Sequence, residues 1–467
     1  MTAAPRMWRP DAVALHHAMV SGETDAAEIL EQCLERIEST NPRLNAIVHL
    51  DVEGARTAAA ASVRRARAGT RLSPLDGIPV TVKDNLFVGG MPATWGSRLY
   101  RDFVPTQDDL SVERLRKAGA VILGKTNTPE FALAARTDNA LFGATRNPWD
   151  LNLNPGGSSG GAVAAVAAGM APLALATDAG GSTRLPASYT GLVGLRPSNG
   201  GVARRYGFPA MALDFQAVGL LARTVAELRL LHDVVAGADP RDPASMRLAR
   251  HRSRGADPQR IRLVLSVADE PVDPQVRARV EESARHFAAL GHQVEIGPAP
   301  YDLALLRRVW GLLPAVGAAR AATAFDDWEQ QVSEGIAAQV RSGLATSSLD
   351  YVRAIDQLMD LRAQVEEAWT FDVLITPTSA TPAWPLGRLF PEQIDGRPGT
   401  VRSASIFATW VNACGYPAIS LPTEPDVDGR PIGLQIIARA GQDALLLDLA
   451  AQFERVAPWA HRWPTLD

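Results

Sequence analysis

The sequence predicts an α/β fold, and three observations carry that prediction. Segments with a helical apolar period alternate with short apolar runs of strand length along most of the chain. The composition is globular, with 46% hydrophobic and 21% charged residues among 467, enough for a large core. No internal repeat and no long low-complexity linker interrupts the alternation. Length alone allows two to four domains.

Residues 11 to 21 and 25 to 39 read as two amphipathic helices. Gly22 stops the first, and Thr24 is placed to cap the second, with Asp25 and Glu28 in its first turn. "NAIVHL" is a short strand, and residues 52 to 68 form an Ala- and Arg-rich surface helix. "GIPVTVKDN" is a strand ending in polar residues, "DLSVERLRKAG" a helix and "AVILGKT" a buried strand. A glycine-rich middle covers 155 to 201. Beyond it, "TVAELRLLHDVVAG" is a helix closed by Gly237, "IRLVLSV" a strand, and 274 to 290 a helix ended by Gly291. "FDVLITPT", "YPAISLPT" and "PIGLQIIAR" are core strands, and "DALLLDLAAQFERV" is a final helix. Residues 237 to 260, rich in Asp, Pro and Arg, read as a loop between two lobes, and 385 to 403 as a second long loop.

The net charge is −4 and there is no basic tail, which disfavours nucleic acid and anionic membranes as partners. Cys33 and Cys414 make no metal or disulfide framework and fit a reducing compartment. The opening "MTAAPRMWRP" lacks the apolar core of a signal peptide, so a cytoplasmic location is expected. The longest apolar run, 162 to 177, is short for a bilayer and is broken by Gly169 and Pro172; it reads as a buried helix followed by a strand. Among 47 basic residues only Lys83, Lys117 and Lys125 are lysines. A lysine retained in so arginine-rich a chain is a candidate for work that a permanently charged guanidinium cannot do.

The stretch "PGGSSGGAVAAVAAG", 155 to 169, runs directly into an Ala-rich helix and the apolar strand "LALAT", unlike a polar linker. It lacks both phosphate-loop patterns, G-x-x-x-x-G-K-[ST] and G-x-G-x-x-G. Gly157 to Gly161 matches G-x-S-x-G, but "DLNLNP" is a poor strand to precede a nucleophile elbow. None of the eight histidines sits in a glycine- or polar-rich site loop, which disfavours a Ser-His-Asp enzyme.

A second serine loop, "TDAGGSTRLPASYTGLVG", follows. Between Ser158 and Ser182 lie a helix of about ten residues and a strand of about five, spanning roughly 15 and 17 Å. The chain can go out along one and back along the other, bringing both serines to one end of the sheet. The N–H groups at Gly180 and Gly181 suit a developing oxyanion, where one lost donor costs about 3 kcal/mol. They suit equally a glycine turn that lets backbones approach. Lys83, ending the apolar strand "IPVTV", is the candidate base, because burial would depress its pKa. Lys117 lies on a charged helix and reads as solvated, and Lys125 in "LGKTN" stands as a second candidate.

The ordered set "GIPVTVKDN", "GKTNTPEFA", "NPGGSSGGAVAAVAAG", "ATDAGGSTRLPASYTGLVGLRPS", "NACGYPAISLP" and "GRPIGLQIIAR" resembles the amidase signature family from about residue 25 to 455. The resemblance implies one domain with a large central mixed β-sheet surrounded by α-helices. It divides into N-terminal helices to about residue 70, a catalytic core to about 236, a variable substrate-side lobe to about 410, and C-terminal core strands and a helix. It implies a Ser–cis-Ser–Lys triad: Ser182 the nucleophile, Ser158 the bridging serine behind a cis Gly157–Ser158 peptide, and Lys83 the base. The oxyanion hole would come from the N–H groups of Ala179, Gly180, Gly181 and Ser182, with Ser159, Asp178 and Arg184 in support. No metal or cofactor is implied. "Thr190-Gly191", "GLRPS" and "NGGVARRYG" depart from the common pattern and bear on substrate preference.

The expected activity is hydrolysis of the C–N bond of small amides, anilides or carbamates through an acyl-enzyme, with an esterase side activity, by a monomer or homodimer. The alternatives are the transamidating component of a glutamyl-tRNA amidotransferase, and a non-catalytic binding protein. Pocket-forming loops are expected at 86–104, 138–150, 300–345 and 380–410. These carry Trp95, Tyr100, Phe142, Trp149, Trp310, Trp328, Trp384, Phe407 and Trp410, and a cluster of them would favour an aromatic or hydrophobic substrate.

Overall fold

One 11-stranded sheet runs through the molecule in the computed structural model, which describes residues 8–251 and 257–466. Residues 1–7 of the N-terminal reading, and 252–256 of the expected inter-lobe loop, lie outside the described residues. The strands are β1 (Ile47–Leu50), β2 (Pro79–Lys83), β3 (Val121–Thr126), β4 (Leu173–Asp178), β5 (Val193–Arg196), β6 (Ala217–Ala222), β7 (Arg260–Leu263), β8 (Gln293–Ile296), β9 (Val373–Pro377), β10 (Gln393–Ile394), β11 (Arg397–Pro398), β12 (Ala418–Pro422) and β13 (Gly433–Ile437). The large sheet has the order β1-β3-β2-β4-β6-β5-β12-β13-β9-β7-β8, and β10 and β11 pair separately.

The sheet is mixed. β3, β2 and β4 are parallel at one end, as are β8, β7 and β9 at the other. The strands between join in antiparallel pairs. Helices cover both faces, so β2, β3, β4, β6, β12 and β13 are buried at every residue. That double burial is why they read as continuous apolar runs rather than alternating ones. The edge strand β8 is mostly exposed and carries Gln293 and Glu295, which suits a strand with one unpaired side.

Several expectations need correction. Asp25, not Thr24, caps the second helix, accepting from the N–H groups of Ala27 and Glu28, while Thr24 Oγ1 bonds Glu28 at 2.8 Å. The strand read over "IRLVLSV" ends at Leu263. Beyond the 237–260 segment, β7 pairs with β9 and joins the same large sheet as the earlier strands. Residues 303–322, expected as pocket loop, form the helix Leu303–Ala322, followed by helices Glu334–Leu344 and Ser348–Ala368. Leu303–Ala322 buries residues on most of its circumference and contains Pro314, so it lacks the one-sided period that marks a surface helix. Among the described residues no helix is long and apolar enough to cross a membrane.

The helix Gly160–Ala167 is buried at all eight positions. It presses on the backbone beyond β3: a Cβ on Gly161 would stand 2.3 Å from Asn127 N and 2.5 Å from Ala46 O. Neither backbone atom can yield without breaking the Asn127-to-Ala46 hydrogen bond of 2.9 Å. Gly161→Ala is therefore expected to destabilise the protein by about 3 kcal/mol, read as a lowered denaturation midpoint in urea.

Candidate active site

The chain leaves β2 for β3 on one side and comes back to β4 on the other, so β2 and β4 flank a topological switch point. In open α/β sheets a crevice forms there, at the carboxyl ends of the strands. Lys83 is the last residue of β2, and Thr177 and Asp178 end β4. The out-and-back path expected between the serines is present. The helix Gly160–Ala167 leads away from Ser158, β4 returns, and the Ser159 N–H donates to Ser182 O at 3.1 Å. Thr137 steadies the first loop: its Oγ1 donates to Gly156 O (2.9 Å) and accepts from Gly160 N–H (3.1 Å). The Gly157–Ser158 peptide is cis.

Lys83 is fully buried, and its ammonium meets only hydroxyls: Ser158 Oγ at 2.7 Å, Ser159 Oγ at 3.0 Å and Thr177 Oγ1 at 3.1 Å. Burial pulls the Lys83 pKa down to about 7, against an opposing pull from the Asp178 charge. Lys125 is equally buried but differently partnered. It donates to the carbonyls of Leu86 (2.8 Å) and Pro92 (3.2 Å) and lies 3.7 Å from Asp84. It ties down the loop after β2 and meets neither serine. Lys117 is exposed and paired with Glu113.

The loop 179–182 turns around Asp178. The Asp178 carboxylate accepts from the N–H groups of Gly181 (2.8 Å) and Thr183 (3.1 Å), and from Arg184 Nε and Nη2, both at 3.0 Å. Burial alone would raise the Asp178 pKa, but Arg184, then Arg196 and Asn412, outweigh it and hold the carboxyl below its ordinary range. The expectation for Gly181 is thereby revised, since its N–H is taken up by Asp178. The N–H groups of Ala179, Gly180 and Ser182 make no hydrogen bond to a described residue, and these three residues are the partly exposed ones. The Ser182 hydroxyl is likewise without a hydrogen bond to a described residue. Among the described residues no group of three or more His, Cys, Asp or Glu side chains is placed to hold a metal ion.

The amidase family model matches residues 28–447. The chain belongs to the amidase signature family. The A component of the glutamyl-tRNA(Gln) amidotransferase of Acidothermus cellulolyticus is 37% identical, over 96% of this chain and 94% of the relative. An acylamidase of Rhodococcus erythropolis is 36% identical, over 96% of this chain and 95% of its own. Among solved structures, a bacterial aryl acylamidase of the family superposes with a TM-score of 0.89 at 28% identity, covering 98% of both chains. The 6-aminohexanoate cyclic dimer hydrolase in complex with its substrate superposes at 0.87 with 31% identity, covering 99% of this chain and 100% of that one. By family, this amidase is a hydrolase of C–N bonds.

Two site residues of the amidase carry no assigned role in the sequence reading. Asn412 donates through Nδ2 to both Asp178 O and Oδ1 at 2.9 Å, and its Oδ1 accepts from Arg184 Nη2 at 2.6 Å. Gln435, in the middle of β13, accepts from Arg184 Nη1 at 2.9 Å. Their signal was a lone amide side chain inside each apolar segment, "WVNAC" and "GLQII".

The expected aromatic residues do not form one cluster. Trp95 and Tyr100 pack with Phe131 and Phe208, Trp95 stacking on Phe208 at 4.4 Å. Trp410 stacks on Tyr301 at 5.1 Å, Trp384 meets Tyr189 edge-on, and Trp149 Nε1 caps the Thr190 carbonyl. Trp310 reaches the 179–182 loop: a Cβ on Gly180 would stand 2.6 Å from its six-membered ring.

Arg184 and Asp178 are fully buried, and removing one partner leaves the other uncompensated. Arg184→Met is expected to lower stability by about 3–5 kcal/mol, measured by chemical denaturation.

Proposed function

We propose that the protein hydrolyses the C–N bond of small amides, anilides or carbamates through an acyl-enzyme on Ser182. The observation that carries this reading is a buried Lys83 with a pKa near 7, 2.7 Å from Ser158, beside a half-exposed serine loop with three unoccupied amide N–H groups. In the proposed sequence neutral Lys83 takes a proton from Ser158 as Ser158 takes one from Ser182, whose hydroxyl turns towards it. Ser182 Oγ bonds to the carbonyl carbon, and the new oxyanion receives hydrogen bonds from Ala179, Gly180 and Ser182, each worth about 3 kcal/mol in the transition state. Ser158 then passes a proton to the leaving nitrogen. Water, deprotonated along the same path, cleaves the acyl-enzyme. Thr177 and Ser159 orient the lysine, and Asp178 and Arg184 hold the loop. A good leaving group would also allow ester hydrolysis. The substrate is a small molecule, the protein acts as a monomer or homodimer, and the unpaired Cys33 and Cys414 fit a cytoplasmic site of action.

A second reading, the transamidating component of a glutamyl-tRNA amidotransferase, is favoured by the 37% identity to such a component over nearly the whole chain. It would use the same serines to release ammonia from glutamine for a partner. Hydrolysis of acyl 4-nitroanilides by the purified chain alone supports the first reading. Activity only with glutamine, after co-purified partner proteins are added, supports the second.

Ser182→Ala is expected to lower kcat on an acyl 4-nitroanilide by about a thousandfold or more, and to abolish labelling by a fluorophosphonate probe. Labelling that survives the substitution would move the nucleophile elsewhere. The base works only when unprotonated. The kcat/KM should therefore fall about tenfold per pH unit below about 7 and level off above it. Lys83→Arg, which stays protonated, is expected to lose about a thousandfold at every pH, and wild-type activity in that variant would refute the assignment.

A further inference from the structure

A pocket beside the glycine loop carries a cation that no anion among the described residues answers. It is a partly open depression between Leu306, Trp310, Ile406 and Thr409. Its two charged lining residues are Arg307 and Arg402. Arg307 is neutralised by Glu270, with Nη2 2.9 Å from Oε1. The half-buried Arg402 guanidinium makes neither a hydrogen bond nor an ion pair with any described residue. It lies against the helix Leu303–Ala322 one residue beyond Trp310, where a Cβ on Gly311 would stand 3.9 Å from its Nη2. Burial, and then the like charge of Arg307, holds Arg402 below its ordinary pKa. Its backbone is anchored through its N–H to Thr400 Oγ1 and its carbonyl to the Ser405 N–H, at 3.3 and 3.1 Å.

The same walls reach the reacting centre. The Trp310 ring that lines the pocket also lies on Gly180. Ser405 and Thr409 bracket Ala408, and a Cβ on Gly181 would stand 2.8 Å from the Ala408 Cβ. The pocket thus begins one side chain away from the amides of 179–182. A guanidinium presents a planar fork of donors that matches a carboxylate, and partial burial strengthens the pairing. Resting on the reading of Ser182 as nucleophile, we propose that Arg402 binds a carboxylate on the substrate, so that preferred substrates are amides with a free carboxylate on one arm.

Matched pairs that exchange a carboxylate for a methyl group test this on the purified full-length chain. Succinyl, glutaryl and adipoyl 4-nitroanilides against butanoyl, pentanoyl and hexanoyl 4-nitroanilides place the charge on the acyl arm. 4-Acetamidobenzoate against 4-acetamidotoluene places it on the amine arm. In at least one pair the carboxylated member should be preferred about tenfold or more in kcat/KM. Arg402→Met should cut that preference about tenfold, and Arg402→Lys should keep part of it. A merely structural role would lower both members together and leave their ratio unchanged. No preference in any pair, or a preference that survives Arg402→Met, overturns the proposal. Calorimetric titration of the same pairs into Ser182→Ala separates the two readings. Should that variant still turn over both members, the nucleophile assignment fails, while the binding ratio with and without Arg402 still judges the pocket.

Discussion

The buried carboxylate of Asp178 is the constraint on which the site depends. It ends β4, receives the forked guanidinium of Arg184, and takes the N–H groups of Gly181 and Thr183. These bonds curl the chain so that Ala179, Gly180 and Ser182 keep their own N–H groups unengaged. An ion pair buried this deeply is held by what satisfies its remaining lone pairs and protons. Here Asn412 and Gln435 do so, from a helix and a strand far along the chain. The loop is therefore shaped by residues from both halves of the sequence.

The same carboxylate acts at longer range on Lys83. Burial drives the ammonium towards neutrality, and three hydroxyls accept or donate according to its state but add no charge. Asp178 supplies the one opposing electrostatic pull. Lys125 shows what a different shell does. Two carbonyls accept from it and a carboxylate stands near, so it serves as a tie between segments and its pKa settles higher, at about 8. Both are buried lysines in a chain that mostly uses arginine, and their partners alone set them apart.

The surroundings of Gly180 follow another logic. The helix Leu303–Ala322 lays Trp310 over Gly180 and brings Arg307 to the cavity that Arg402 lines from the chain beyond. That helix was illegible as such. Leu303–Ala322 is apolar on most sides because sheet, loops and other helices surround it, so no period separates a wet face from a dry one. The aromatic residues expected to line the pocket scatter among three packing groups: large rings fill whatever core lies nearest.

The α/β class, the out-and-back path between the serine loops and the family were legible in the chain itself, because they rest on local pattern. Continuous apolar runs, glycine spacing and a lysine at a strand end keep their meaning wherever the chain goes. What tertiary structure alone decided are the relations between distant segments. It spent the Gly181 N–H on Asp178, gave Asn412 and Gln435 their place around Arg184, sent Lys125 to carbonyls, and left Arg402 without an anion among the described residues. A hydrogen bond or an ion pair depends on where two groups meet in space, and spacing along the chain holds no record of that meeting.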